Sequence, residues 1–352
     1  MQYDSLESEE AKIAILDLSK KNFSGKQIAR ITGLSKSSIN RFIAKDSWKE
    51  WWALREEIVP KDNKVVKRQM SDQEFRFPIV TSNQPPAKSE GNTHFVIPDT
   101  QAKPGVCFKY MNKIGQYIAN RKPEVIVHLG DHYDLPSLSS YDKGSRKAEG
   151  RRLHTDLEAG LLSMEYLLKP IHDLQQKEIE EYGEIRYKPY MVLTLGNHEQ
   201  RLERHVNANP ELFGFVDYES FRYSEMGWDW YDFLDPVIVD GVTYCHFMAN
   251  PFSGKPYGGS CANILKHVGE SFTCGHKQTL DVTTRFLPSS GQQQWGIVAG
   301  ACYEHLESYK GIQGNKHWRG VVVKHNVKGG TYNPMFVDLD YINRKYKSGF
   351  NG

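Results

Sequence analysis

Residues 193–201 read Leu-Thr-Leu-Gly-Asn-His-Glu-Gln-Arg. Asn197, His198 and Glu199 put a carboxamide, an imidazole and a carboxylate in three successive side chains, groups that ligate metals or move protons. The pattern recurs. Asp99 follows His94-Phe95-Val96-Ile97-Pro98, Asp131 and Asp134 follow Val125-Ile126-Val127-His128-Leu129-Gly130, His246 follows Val242 to Cys245, and His276 follows Phe272-Thr273-Cys274-Gly275. Each group alone is an ordinary polar residue at a strand end. Together they form the mixed oxygen and nitrogen donor set of a two-metal phosphoester centre. There, divalent ions activate a hydroxide and clamp the phosphoryl oxygens. Oxygen-rich ligands with some imidazole favour Mn, Fe or Zn over Ca or Mg.

The elements that must position these groups are short apolar strands. Tyr190 to Leu195 is an apolar run closed by Gly196, as expected of a buried strand ending at a sheet edge, where open α/β sheets place their ligands. Helical spacing over Phe108 to Ala119, between the strands at His94 and Val125, gives a βαβ unit. A long amphipathic helix is expected over Arg151 to Leu174. Gly214 to Asp235 reads as irregular. Val237–Asp240 and Val242–Cys245 read as a hairpin, and Ser271–Cys274, Gly296–Ala301, Gly320–Lys324 and Met335–Asp340 as later strands.

In order, Asp99-Thr100-Gln101, Gly130-Asp131-His132-Tyr133-Asp134, Gly196-Asn197-His198-Glu199, His246 and Gly275-His276-Lys277-Gln278 resemble the motifs of the calcineurin-like metallophosphoesterases. The resemblance covers residues 93 to about 340 and is strongest in the middle motifs. It implies a four-layer αββα sandwich. It also implies that Asp131 bridges two metals, that Asn197, His246 and His276 complete one site, and that Asp99 belongs to the other. His198 would protonate or stabilise the leaving oxygen, oriented by Asp134. The sequence departs from the family twice, both times at the Asp99 site: Gln101 and Gln278 stand where the family has His. Three readings stay open. The amide oxygens still bind a metal, more weakly and with a harder preference. Alternatively, one tightly held metal recruits the other with substrate, or the site has decayed and only binds.

His128 and His132 flank the second motif and read as supporting groups rather than ligands. Arg201 and Arg204 are candidates to grip a phosphate, as are Arg146, Lys147, Arg151 and Arg152. Cys245 and Cys274, adjoining ligand histidines on alternating strands, should point away from the metals.

The N-terminal segment is different. Leu18 to Lys45 holds seven Lys and Arg and no acidic residue. Ala11, Ile13, Ala14, Leu16 and Leu18 suggest one helix. Ser24 with Gln27 would cap a second, whose inward residues are Ile28, Ala29 and Ile31. Gly33 supplies a turn, and Ser35 caps a third helix with Ile39, Phe42 and Ile43 inward. This resembles the helix-turn-helix domains of phage terminase small subunits, resolvases and repressors, and implies DNA binding through Lys36, Ser37, Ser38, Asn40, Arg41 and Lys45. Trp48, Trp51 and Trp52 are expected to pack. The expected organisation is a helix-turn-helix domain over 1–58, a mobile or loosely docked linker over 59–92, and the α/β metallophosphoesterase domain over 93–352.

Length and composition set the bounds. The chain has 352 residues and a formal net charge of +2. Its five cysteines include no Cys-x-x-Cys pair, which points to reduced thiols in a cytoplasm; the resemblances above imply that of a bacterial host or a phage-infected cell. No signal peptide or membrane-spanning run is visible. The expected activity is metal-dependent phosphoric ester hydrolysis on nucleic acid, a DNA phosphodiesterase or nuclease of phage or prophage type. The cofactor would be one or two divalent ions per chain, Mn favoured and Fe, Zn, Mg or Ni as alternatives. The alternatives in function are a phosphatase or small-nucleotide phosphodiesterase, or a DNA-binding scaffold with a weakened site. DNA is the expected partner. A homodimer is compatible with the helix-turn-helix, but nothing demands it.

Overall fold

A computed structural model describes residues 11–12, 14–15, 25–35, 39, 75–307, 310–347 and 349. The chain divides into two units, residues 1–69 and 70–352. In the first, helix α1 (Gly25–Thr32) ends at Gly33, which adopts φ 74°. Ile15, Ile28 and Ile39 form a small core with Ala29 and Leu34 against it, and Ile39 N–H donates to Ser35 O at 3.1 Å. Ile31, expected inward, is 38% exposed, and Thr32 is buried in its place because its hydroxyl bonds back to Ile28 O at 2.7 Å. The residues proposed to touch DNA (Lys36, Ser37, Ser38, Asn40, Arg41, Lys45), the Ser24 cap and the three tryptophans lie outside the described residues.

The second unit is mixed α/β. Its strands are β1 (Asn92–Ile97), β2 (Val125–His128), β3 (Tyr190–Thr194), β4 (Asp229–Tyr231), β5 (Val237–Val239), β6 (Val242–Cys245), β7 (Phe272–Cys274), β8 (Leu280–Phe286), β9 (Gln293–Ala299), β10 (Gly320–Lys328) and β11 (Thr331–Asp338). Its helices are α2 (Lys109–Arg121), α3 (Leu153–Tyr182), α4 (Gln200–Ala208), α5 (Cys261–Val268), α6 (Gly311–Gly314) and α7 (Leu339–Lys345). Six strands form one sheet in the order β11-β10-β1-β2-β3-β4, and five form another in the order β5-β6-β7-β9-β8. β1, β2, β3 and β4 run parallel, as do β6, β7 and β9, so their carboxyl ends share an edge within each sheet.

Strand alternation explains the layers. Phe95, Ile97, Ile126, Met191 and Leu193 face a core shared with α2 and α3. Val96, Val125, Val127, Tyr190 and Val192 face the opposite way, onto Val237, Val239, Val242, Tyr244, Ile297 and Ala299 of the second sheet. Cys245, Cys274 and Phe272 form a third cluster with Cys261, Ile264 and Leu265 of α5, so the two thiols point away from the candidate metal ligands.

Four expectations are corrected. Helix α3 runs on to Tyr182, through Pro170. Pro170 has no N–H for Tyr166 O. Asn112 of α2 donates to that carbonyl at 3.2 Å instead, which lets the helix continue. Residues 75–91 are docked, not a loose linker: Phe75 and Ile79 are buried, Arg76 pairs with Glu165, and Gln175 bonds both Val80 N (3.0 Å) and Val80 O (2.7 Å). The segment expected to be irregular contains two 3-10 turns and β4, which extends the first sheet. Finally, β8 is an edge strand that the apolar pattern did not show, its faces alternating between half-buried and exposed. The expected hairpin at residue 240 turns on Asp240 and Gly241, at φ 50° and 82°, as a two-residue primed turn requires. No helix among the described residues is long and apolar enough to cross a membrane.

Candidate metal centre

The parallel strands deliver Asp99, Asp131 and Asn197 from the carboxyl ends of β1, β2 and β3, and His246 and His276 from those of β6 and β7. The loops close on one another because glycines leave room. A Cβ on Gly196 would stand 2.1 Å from Asp131 Oδ1, and one on Gly275 would stand 2.2 Å from Asp99 Oδ1. Asp131, Gln101, His276 and Gln278 all adopt positive φ, at 49°, 43°, 66° and 57°. Such left-handed backbone costs about 1–3 kcal/mol per residue and gathers at functional sites.

Asp131, His246 and His276 each offer a ligand atom, all within 4.8 Å of one another. Asn197 Oδ1 lies beside both imidazoles, 3.0 Å from His246 Nε2 and 2.7 Å from His276 Nδ1. His246 Nδ1 donates to Leu129 O at 2.7 Å, so its Nε2 carries a bare lone pair when the ring is neutral. That lone pair faces Asn197 Oδ1 and, at 3.4 Å, Asp131 Oδ2. These acceptors are satisfied either by a proton on a ring nitrogen, as in the Nδ1–H tautomer of His276 donating to Asn197 Oδ1, or by a metal among them. Without metal, burial opposes the imidazolium, but the Asp131 carboxylate outweighs it and pushes His246 up to about 10. Burial also favours neutral His276, which falls to about 4. The donor set of one carboxylate, one carboxamide and two imidazoles therefore fits a divalent transition ion.

Beside it, His198 Nδ1 is 2.8 Å from Asp134 Oδ1 and its Nε2 is 3.1 Å from Arg201 Nη2. Burial would raise the Asp134 pKa, but the His198 hydrogen bond outweighs this, and with Lys103 and Arg201 holds it at about 2. Arg201 also donates to Asp134 O at 2.6 Å, whereas Arg204 is exposed and reaches only Asn197 O, at 3.2 Å. Arg151 is tied to Asp142 (2.7 Å) and Pro136 O (2.9 Å).

The Asp99 side is different. Asp99 Oδ1 accepts from His276 N at 3.1 Å, while its Oδ2 and both carboxamide atoms of Gln101 are buried without a partner. Burial pushes Asp99 up to about 6. Gln278 Oε1 accepts from Tyr303 OH at 2.8 Å and from Lys310 Nζ.

Glu199, singled out in the sequence for ligand or proton chemistry, is instead a scaffold. Fully buried, it accepts backbone N–H groups from Asp131 (2.9 Å), His132 (2.6 Å), Tyr133 (3.0 Å) and Gly196 (2.9 Å), tying the second and third motifs together. It sat in the motif, but only its contacts show its role. His128 and His132 are buried supports. Thr100 Oγ1 bridges them at 3.2 and 2.7 Å, and His132 reaches Gly160 O at 2.8 Å.

Asp131, Asn197, His198, His276 and Gln278 open onto a cleft of about 940 Å³, lined also by Lys103, Arg151, Lys277 and Lys310. No family model and no curated protein matches the chain.

Proposed function

We propose that the chain is a metal-dependent phosphoesterase of the calcineurin-like type acting on nucleic acid, with DNA phosphodiester hydrolysis the favoured reaction. The observation that carries this reading is the convergence of Asp131, Asn197, His246 and His276 from four separate loops around one buried point beside the His198–Asp134 pair. Two facing sheets, with α2 and α3 over one and α5 over the other, support the four-layer αββα architecture that reading calls for.

Asp131, Asn197, His246 and His276 would hold the ion. When bound, it supplies Lewis acidity toward a phosphoryl oxygen. The chain's own groups do the rest. His198, kept in line by Asp134, stands ready to give a proton to the leaving oxygen. Arg201, 3.1 Å from His198 Nε2, can turn onto a phosphate in the same cleft. Lys103, Arg151 and Lys277 line that cleft among its carboxylates, Lys103 paired with Glu307 and Arg151 with Asp142, and a phosphate would compete for those cations. The acid-free run from Leu18 to Lys45 supports delivery to DNA by a helix-turn-helix.

The test is hydrolysis of bis-p-nitrophenyl phosphate against p-nitrophenyl phosphate by metal-stripped protein titrated with Mn, Mg, Zn and Ni, with His198→Ala as the contamination control. Metal-dependent diester cleavage that vanishes in the control supports the proposal. Monoester turnover alone would make it a phosphatase. No turnover with any metal would leave a binding scaffold. Delivery to DNA is tested separately: affinity should fall steeply with salt and be lost on removal of residues 1–58.

A further inference from the structure

Where the resemblance calls for a second metal-ligating imidazole, Gln278 does something an imidazole cannot. A carboxamide oxygen has two lone pairs. Gln278 Oε1 uses both, accepting from Tyr303 OH at 2.8 Å and from the Lys310 ammonium. A neutral imidazole offers a single lone pair. Tyr303 OH also stands 3.1 Å from Lys310 Nζ, and the Tyr303 ring lies 5.7 Å from that nitrogen. The ammonium is thus seated by three contacts; burial lowers its pKa, and the Asp99 and Glu307 carboxylates offset part of that. Lys310, Gln278 and His276 line the same cleft as Asp131 and Asn197. What remains on this side for a second dication, besides a share of Asp131, is Asp99 Oδ2 and a neutral amide, Gln101, beside the Lys310 ammonium. That is a poor donor set next to the carboxylate and two imidazoles of the other side.

We propose that Lys310 supplies the second positive charge of this centre, so that the chain holds a single divalent ion and grips a phosphoryl oxygen with ion and ammonium together. The inference rests on the metal-centre reading above and changes what that reading implies for Gln278: it serves a lysine, not a metal. Arginine or lysine beside phosphate is common recognition chemistry, with the ammonium acting as a point charge.

The experiment counts ions. Full-length protein is loaded with Mn(II), freed of excess, and examined by elemental analysis and by electron paramagnetic resonance. The expected result is one ion per chain with the signal of an isolated Mn(II). Lys310→Met should keep that ion and bind inorganic phosphate about tenfold or more weaker, as loss of a charged hydrogen bond implies. Gln278→His combined with Lys310→Met should gain a second ion and a spin-coupled signal. Two coupled ions in the unaltered chain would overturn the proposal and leave the metal centre standing, as would unchanged phosphate affinity in folded Lys310→Met. No bound ion at all would overturn the metal centre itself, and this inference with it.

Discussion

The Glu199 carboxylate accepts the Asp131 backbone N–H at 2.9 Å, and three further backbone N–H groups, from His132, Tyr133 and Gly196, converge on the same two oxygens. Asp131 is held at φ 49° by this knot, and its Oδ1 takes His198 N at 2.9 Å. One buried side chain therefore fixes the backbone of two motifs. Glu199→Gln keeps one acceptor oxygen and turns an N–H₂ toward backbone donors. It should cost roughly 2–3 kcal/mol by urea denaturation, from unsatisfied buried donors, and weaken divalent-ion binding in parallel. Unchanged stability would show that the loops hold without it.

Asp134→Asn leaves the ion's ligands intact and removes the charge that steadies His198. Burial lowers the His198 pKa, but Asp131 and the Asp134 hydrogen bond outweigh it and raise it. A proton donor is active below its pKa. The alkaline limb of the kcat profile should therefore shift to lower pH in Asp134→Asn, with kcat down by about 100-fold and metal content unchanged. A profile that keeps its limb would remove His198 as the acid.

Metal-free protein should lose stability as pH rises. His246, raised to about 10, contributes fully below its unfolded pKa of about 6.5 and loses that contribution as pH climbs through about 10. His132 and His276, both lowered to about 4 by burial, act in the other direction: their contribution is lost as pH falls below about 6.5. Thermal melting after chelation should thus peak near neutrality. His246→Gln should flatten the alkaline limb alone, and an unaltered limb in that variant would count against the Asp131–His246 pairing.

Helices α2 and α3 approach closely at Gly115. A Cβ there would stand 2.1 Å from Leu167 O and 3.0 Å from Pro170 Cδ. Alanine gains about 1 kcal/mol in helix propensity over glycine, but forcing a methyl against a backbone carbonyl costs about 1–3 kcal/mol or more. The clash should win, with Gly115→Ala melting below the parent. A higher melting temperature would mean the helices separate freely.

The candidate ligands were legible because each follows a short apolar run, and parallel pairing of β1, β2 and β3, then of β6 and β7, carries those run ends to common edges. Glu199 was not legible as a scaffold because accepting backbone N–H groups leaves no periodic trace. Lys310 and Tyr303 come from a segment with no strand-end signature, and the Gln278 hydrogen bonds that tie them to the site leave no trace in the sequence. β4 was hidden by its length of three residues, and β8 by its half-exposed alternation. The Pro-, Asn- and Gln-rich stretch before β1 reads as linker by composition. Two apolar anchors, Phe75 and Ile79, and the carboxamide of Gln175 nevertheless dock it. Composition averages over a stretch, whereas docking needs only a few well-placed groups.

The most direct measurement is anomalous scattering from crystals of the protein soaked in Mn(II), recorded on both sides of the Mn absorption edge. The account predicts a peak in coordinating reach of Asp131, Asn197, His246 and His276, absent from an isomorphous His246→Ala crystal. No peak at that point, or one held elsewhere on the chain and indifferent to His246, would contradict the metal centre.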